Sequence, residues 1–118
     1  MSGFLCFTIH GKPQGKQRAR RGRGGRWYTP RETVRFERLV AAACLKAGGK
    51  RPGYCGPVEL EVVCCFGDRR RRDLDNVLKA VSDAMNGIAY DDDSQIVRAT
   101  IERVEGEPRT VVTVRWIG

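Results

Sequence analysis

The sequence predicts a small α/β domain, of the mixed α+β kind, in which two helices pack on a mixed sheet in the order β-α-β-α-β-β. Three observations predict this class. Two segments repeat apolar residues at helical spacing, four short segments are β-branched or alternate in polarity, and the chain has the 118 residues of one ordinary domain. We therefore expect a single domain over residues 1–118.

The N-terminal quarter predicts a strand followed by a loop. Residues 4–9 are aromatic and β-branched, which favours a strand. Residues 11–27 contain five glycines and seven Lys or Arg without any periodicity, so a mobile basic loop is expected there.

The first helix is expected over residues 30–47, with Thr29 as its cap, Pro30 at its first position and Gly48-Gly49 after its end. Helical spacing predicts its buried face as Val34, Leu39, Val40, Ala43 and Ala47.

One more helix and three strands complete the prediction. Residues 58–66 alternate in polarity, which indicates a strand with one partly polar face. A second helix begins near Asp73 or Asp75 and closes at Asn86-Gly87. Residues 95–104 and 110–117 are expected to be strands, joined by a short turn and paired as an antiparallel hairpin.

The charge is divided unevenly along the chain. Residues 1–57 carry 13 Lys and Arg against 2 Asp and Glu, a net charge of +11, whereas residues 58–118 carry 9 against 12, a net charge of −3. This division favours a surface for phosphate in one half and a cation site in the other. No apolar run reaches the roughly 20 residues of a membrane span. The first residues lack the pattern of a signal peptide, and five cysteines without C-x-x-C spacing argue for reduced thiols, so a cytoplasmic protein is expected.

Carboxylates cluster at two places in the acidic half. Asp73 and Asp75 lie two residues apart where strand gives way to helix, so both can face one cation. Asp93 ends the run Asp91-Asp92-Asp93 and would complete the shell from elsewhere in the fold. Mg²⁺ takes hard oxygen ligands, and one or two carboxylates suffice beside water and phosphate oxygens. The pattern favours a metal-dependent nuclease whose metal polarises a phosphate and activates water.

Structural alternatives remain open for these residues. Asp73 or Asp75 could cap the second helix, and the triple aspartate could be a polar turn. Lys79 lies one helical turn after Asp75 and could pair with it or reach a substrate phosphate. Asp83, one turn further on, is interpreted as structural.

Two basic segments are candidates for contact with nucleic acid, because clustered Lys and Arg neutralise phosphates. The first is the loop with Lys12, Lys16, Arg18, Arg20, Arg21, Arg23 and Arg26; the second is the run Arg69, Arg70, Arg71 and Arg72 beside the acidic pair. The loop contains no aromatic residue before Trp27 and Tyr28, which argues against single-strand stacking as its main mode.

The motif Arg72-Asp73-Leu74-Asp75-Asn76-Val77-Leu78-Lys79, followed by Asp92-Asp93-Ser94-Gln95, resembles the RusA-type Holliday junction resolvases. Gly11, Pro13, Lys16, Arg18 and Arg20 agree with the basic loop of that family, so the resemblance spans nearly the whole chain. It implies a homodimeric endodeoxyribonuclease, encoded by bacteria or phages and associated with the nucleoid. Such an enzyme binds four-way DNA junctions and nicks two strands symmetrically in DNA recombination and repair.

The resemblance also implies site residues. The catalytic, metal-binding acids would be Asp73, Asp75 and Asp93, and Lys79 would act at the scissile phosphate. Asp92 and Asn76 would assist. The cofactor would be Mg²⁺, for which Mn²⁺ can substitute. Two other hypotheses use the same residues: a nuclease for forks, flaps or other branched DNA, and a non-catalytic nucleic-acid binding module with structural acids.

Overall fold

The mixed sheet and the two helices expected from the sequence are confirmed in a computed structural model, which describes residues 3–17, 19–50 and 53–117. In chain order the elements are β1 (Gly3–His10), β2 (Arg20–Arg21), β3 (Trp27–Tyr28), α1 (Arg31–Ala47), β4 (Val58–Cys65), α2 (Leu74–Ala84), β5 (Ile96–Arg103) and β6 (Arg109–Trp116). Among the described residues, neither helix is long and apolar enough to cross a bilayer.

The main sheet has the strand order β1-β6-β4-β5, in which β4 and β5 are parallel and the other pairs are antiparallel. The expected hairpin between the last two strands is therefore wrong. Val112 and Val114 of β6 are fully buried, so β6 occupies the centre of the sheet between β1 and β4. Strand β5 is mostly exposed and lies at the edge. The free energy gained by burying the apolar residues of β6 between β1 and β4 is larger than the advantage of the short connection that a β5–β6 hairpin would have had.

Helix α1 begins at Arg31 with Pro30 as its N-cap and without a side-chain cap, so the prediction of Thr29 as the cap is wrong. The predicted face is also wrong in part. The residues that α1 buries are Thr33, Phe36, Val40 and Cys44, whereas Leu39 is exposed. The physical reasons are Phe36, whose large apolar ring packs in the core, and Thr33, whose hydroxyl donates to the Gly15 carbonyl and accepts from the Gln17 amide. The basic loop is fastened to α1 there, which turns that side of the helix inward.

Both helices cover one face of the sheet, and α2 contributes Val77, Ala80 and Val81 to the core beneath it. The alternation predicted for β4 is confirmed, because Val58, Leu60, Val62 and Cys64 are buried while Glu61 is exposed. All five cysteines are free thiols, and Cys44, Cys64 and Cys65 are buried.

The basic loop contains structure that the sequence did not reveal. Strands β2 and β3 form a two-stranded hairpin in which Arg20 pairs with Tyr28 and Arg21 with Trp27. The Gly22 amide donates to the Arg26 carbonyl at 2.8 Å and closes the turn. The prediction of a loop without regular structure over residues 11–27 is therefore wrong from Arg20 onwards.

Candidate active site

The N-terminus of α2 presents Asp73 and Asp75. Asp73 is the N-cap, and its Oδ1 accepts a hydrogen bond from the Asn76 amide at 3.3 Å. Capping uses one oxygen of the carboxylate and leaves the other available. Asp75 lies in the first turn and is exposed. The cap foreseen as a structural alternative is therefore present, but it accounts for only one of the two acids.

Lys79 lies between two acids on one face of α2, at the i, i+4 spacing. Its Nζ lies 3.8 Å from Oδ2 of Asp83, so the ion pair is made with Asp83. The Lys79 side chain is 63% exposed. A pair this exposed contributes little to stability, so its ammonium can be redirected to an anionic substrate at small cost.

The carboxyl groups of Asp83 and Asp93 contact each other. Burial raises the pKa of Asp93, and the side-chain contact with Asp83 and the charges of Asp92 and Asp83 raise it further, against a hydrogen bond from Asn86. The Lys16 ammonium also contacts Asp83, at 3.4 Å, and pairs with Glu37. Sequence reasoning treated Asp83 as structural and foresaw no contact between it and Asp93. The only signal was its helical spacing from Lys79.

The acids therefore form two groups along α2. Asp75 and Asp83 are eight residues apart, which corresponds to about 12 Å along a helix. Within residues 3–17, 19–50 and 53–117, no three His, Cys, Asp or Glu side chains are grouped so that they could hold a metal ion. The structure does not bring Asp73, Asp75 and Asp93 together as one set of ligands.

A short 3₁₀ turn, Asp93–Gln95, carries the last acid. Asp92 caps this turn by accepting from the Ser94 amide at 3.0 Å. A hydrogen bond with the Ser94 side chain, helped by that from the Ser94 amide, lowers the pKa of Asp92. Gln95 accepts from the Asp92 amide and donates to the carbonyls of Tyr54 and Gly56, both at 2.7 Å. In the D-D-x-Q motif, the glutamine therefore fixes the turn on which Asp93 lies, a role that sequence reasoning missed.

Asp68 is the centre of a second feature that the sequence did not reveal. Its carboxylate lies 3.1 Å from Lys12, 2.6 Å from Arg72 and 3.7 Å from Arg103. The hydrogen bond from Lys12, helped by those from Arg72 and the Arg70 amide, lowers the pKa of Asp68 to about 2. We call Asp68 and these three cations the Asp68 cluster. It ties the basic loop to the segment that precedes Asp73.

Phe66 supports the same cluster from inside the protein. The guanidinium carbons of Arg72 and Arg103 lie 4.9 and 5.0 Å from the centre of its buried ring, within the range of cation–π attraction. Arg103 also donates to the carbonyls of Arg70 and Asp68, both at 2.7 Å. Residues 67–72 are thus held at both backbone and side chains. Arg69, Arg70 and Arg71 remain exposed on them.

We expect Asp68→Asn to lower the free energy of unfolding at neutral pH but not near pH 2. The folded pKa of about 2 lies below the ordinary 3.8, so the contribution of the carboxylate is complete above about pH 4 and is lost as pH falls towards 2. Urea midpoints of wild type and variant should therefore differ at pH 7 and converge near pH 2. Glu32→Gln removes an exposed charge in the first turn of α1, away from the Asp68 cluster, and serves as the control. A difference that stays constant with pH would contradict the role of the charge.

A polar cleft of about 230 Å³ lies between the basic loop and α2. Its lining includes residues 13–17, Arg71, Arg72, Asp73 and Asn76. The Asn76 carbonyl accepts from the Lys16 amide at 2.8 Å, so the loop is fastened beside the acid pair. Of the basic residues predicted to contact DNA, Arg20 and Arg21 lie on the hairpin, Lys12 and Arg72 in the Asp68 cluster, and Arg18 lies outside the described residues.

Comparison with known proteins identifies relatives of the chain. The family model described as Endodeoxyribonuclease RusA matches residues 10–115. A crossover junction endodeoxyribonuclease rusA of Enterobacteria phage 82 is 35% identical over 72% of this chain and 71% of its own. The crossover junction endodeoxyribonuclease RusA of Escherichia coli (strain K12) is 46% identical over 38% of each chain. An uncharacterized protein of Bacillus subtilis (strain 168), YqaN, is 29% identical over 96% of each.

Proposed function

Because this chain belongs to the RusA family of endodeoxyribonucleases, we propose that it is a magnesium-dependent enzyme that resolves Holliday junctions by symmetric paired nicks. The role would be in DNA recombination and repair, at the nucleoid of a bacterial cell. The observation that supports the proposal best is the family match over residues 10–115, which includes both acidic groups and the basic loop. A single endonuclease domain over the whole chain is part of the proposal.

The proposed metal ligands are Asp73, Asp75 and Asp93. Their chemistry fits Mg²⁺, since all are carboxylates and the Asp73 cap leaves one oxygen free. The raised pKa of Asp93 beside Asp83 fits as well, because two adjacent carboxylates favour a cation between them. Bound Mg²⁺ would polarise the scissile phosphate and lower the pKa of a water molecule. Substrate oxygens, water or a second chain would complete a shell that no three acids of the described chain form.

The other proposed roles belong to side chains on the same surface. Lys79 is exposed and would move from Asp83 to the phosphate, where its charge stabilises the transition state. Asp92 would assist by holding the turn that carries Asp93, and Asn76 by joining the loop to α2. Lys12, Lys16, Arg20, Arg21 and Arg69 to Arg72 would attract the phosphate backbone.

We also propose a homodimer, with branched DNA as its partner. A four-way junction presents two equivalent strands, and a two-fold dimer offers one active site to each. The separation of about 12 Å between the two acidic groups along α2 adds a reason, since a second chain could supply ligands that one chain does not gather.

The test is incubation of the purified protein with a labelled four-way junction, with and without Mg²⁺, beside linear duplexes of the same arms. We expect paired symmetric nicks on the junction alone, appearing with Mg²⁺ and, more weakly or equally, with Mn²⁺. Equal cleavage of three-way and four-way DNA would favour a general branched-DNA nuclease. Tight binding without cleavage under any divalent metal would contradict the proposal and favour a binding module.

A further inference from the structure

The β2–β3 hairpin exposes two aromatic rings among arginines. The Trp27 side chain is 69% exposed and Tyr28 is 50% exposed. Arg20, Arg21, Arg23 and Arg26 lie on the same nine residues. We propose that this hairpin is a binding site for an unpaired nucleobase, with Trp27 as the stacking platform and the arginines on the flanking phosphates. The inference rests on the proposed function, which it deepens by naming how the branch point of DNA is recognised.

The pairing register joins each ring to a guanidinium. Arg21 is the cross-strand partner of Trp27 and Arg20 that of Tyr28, and directly opposed residues of an antiparallel pair project to the same side. One face of the hairpin therefore carries an indole and a guanidinium, and the other a phenol and a guanidinium. Proteins that bind single-stranded nucleic acid combine base stacking on aromatic side chains with cations along the backbone. In the basic loop such stacking would be confined to the β2–β3 hairpin, since no aromatic residue precedes Trp27 there, and the other basic residues would contact phosphates only.

The two rings of the hairpin differ in their contacts with the glycines of the turn. The Tyr28 ring lies against Gly22, where an added Cβ would be 3.3 Å from Cδ1 and Cε1 of the ring. The Arg21 guanidinium lies over Gly25, where a Cβ would be 3.2 Å from Nη2. Tyr28 thus has a structural role in covering the turn. Among the described residues no aromatic ring stacks on Trp27. The Trp27 ring therefore has no comparable structural role in the hairpin, and its exposed face is available to a ligand.

The root of the hairpin is fixed close to the acids of α2. The Lys16 amide donates to the Asn76 carbonyl at 2.8 Å, and the Gln17 amide donates to Thr33 Oγ1 at 3.3 Å. Arg21, the partner of Trp27, comes five positions after Lys16, and five residue steps span at most roughly 17 Å. That distance corresponds to about five base-pair steps along the axis of a duplex. A base held by Trp27 would therefore lie within a few nucleotides of a phosphate at Asp73 and Asp75.

The Trp27 indole can select branched DNA over linear duplex, whereas the arginines bind both. Phosphates are present on every duplex, so guanidinium contacts give affinity without selecting structure. The flat face of a base becomes accessible only where stacking is interrupted, as at a branch point or in a single strand. Trp27 therefore adds affinity for interrupted stacks, while the arginines add affinity for all DNA.

The test is binding in the absence of divalent metal, so that its result is independent of cleavage. Wild type, Trp27→Ala and Trp27→Phe are titrated with a four-way junction, a single strand and a linear duplex of equal length. We expect Trp27→Ala to weaken binding of the first two about tenfold and of the duplex by less than about twofold, because stacking on one base is worth a factor of this order. Trp27→Phe, which keeps an aromatic face, should recover most of the affinity.

Phe4→Ala is the matched control, because Phe4 is also 69% exposed but lies on β1 of the main sheet. It should leave all three affinities unchanged. Replacing a branch-point adenine with 2-aminopurine gives a direct signal, which wild type should quench and Trp27→Ala should not. Equal losses on junction and duplex, or no loss at all, would overturn the inference. If Trp27→Ala unfolds at the same temperature as wild type, its fold is intact. Cleavage of the junction by wild type with Mg²⁺ tests the proposed function independently of these binding measurements.

Discussion

Asp75→Asn is expected to reduce junction cleavage by about 10²- to 10³-fold or more, the size of effect that follows loss of one group that stabilises charge in a transition state. Binding of the junction without metal should stay within about twofold of wild type. The substitution keeps the size of the side chain and removes only its negative charge. Asp75 is exposed in the first turn of α2, so the fold does not depend on it. Single-turnover cleavage and metal-free binding measure the two effects.

Asp91→Asn is the matched control for this variant. Asp91 is also exposed, and its contact with the rest of the chain is made by its backbone amide, which donates to the Tyr54 carbonyl. Cleavage should stay near the wild-type rate. Full activity of Asp75→Asn, or an equal loss in Asp91→Asn, would contradict the assignment of Asp75 as a ligand.

Tyr90→Ala is expected to destabilise the fold by about 3–5 kcal/mol, the usual cost of deleting a large buried aromatic side chain. Tyr90 is fully buried, and its hydroxyl donates to the Ser82 carbonyl of α2 at 2.6 Å. Gly53 approaches the Tyr90 backbone so closely that an added Cβ would lie 2.4 Å from its carbonyl. Urea unfolding monitored by circular dichroism gives the free energy of unfolding.

Tyr90→Phe separates the packing of the ring from its hydrogen bond. It keeps the ring and removes the hydroxyl, so the loss should be about 1 kcal/mol, the net value of one hydrogen bond. A loss in Tyr90→Ala no larger than in Tyr90→Phe would show that the ring contributes little to the core.

The sequence predicted the elements better than their arrangement. Alternation placed β4 and helical spacing placed α2, because both periods are local properties of the backbone. The position of β6 depended on its burial against β1 and β4, which no short segment encodes. The buried side of α1 depended on Thr33, whose polar side chain is buried because it binds the loop around Gly15.

The sequence proposed candidate residues for the site but not their contacts. The assignment of Asp73, Asp75 and Asp93 stays a prediction from the family motif, while the family match confirms the resemblance itself. The motif did not identify the contact of Asp83 with Asp93, since the two come from different elements. Nor did it identify Asp68, whose partners Lys12 and Arg103 lie 56 and 35 residues away in sequence.

The pairing of β1 with β6 has a consequence for synthesis of the protein. Gly3 lies opposite Trp116, and β6 is the central strand on which both β1 and β4 depend. A growing chain emerges at roughly 5–20 residues per second, and the sheet has no centre until its last strand leaves the ribosome. The complete four-stranded sheet can therefore form only after β6 has been synthesised. A nascent chain that has not yet reached β6 would therefore carry its basic segment and both helices without the four-stranded sheet on which they pack.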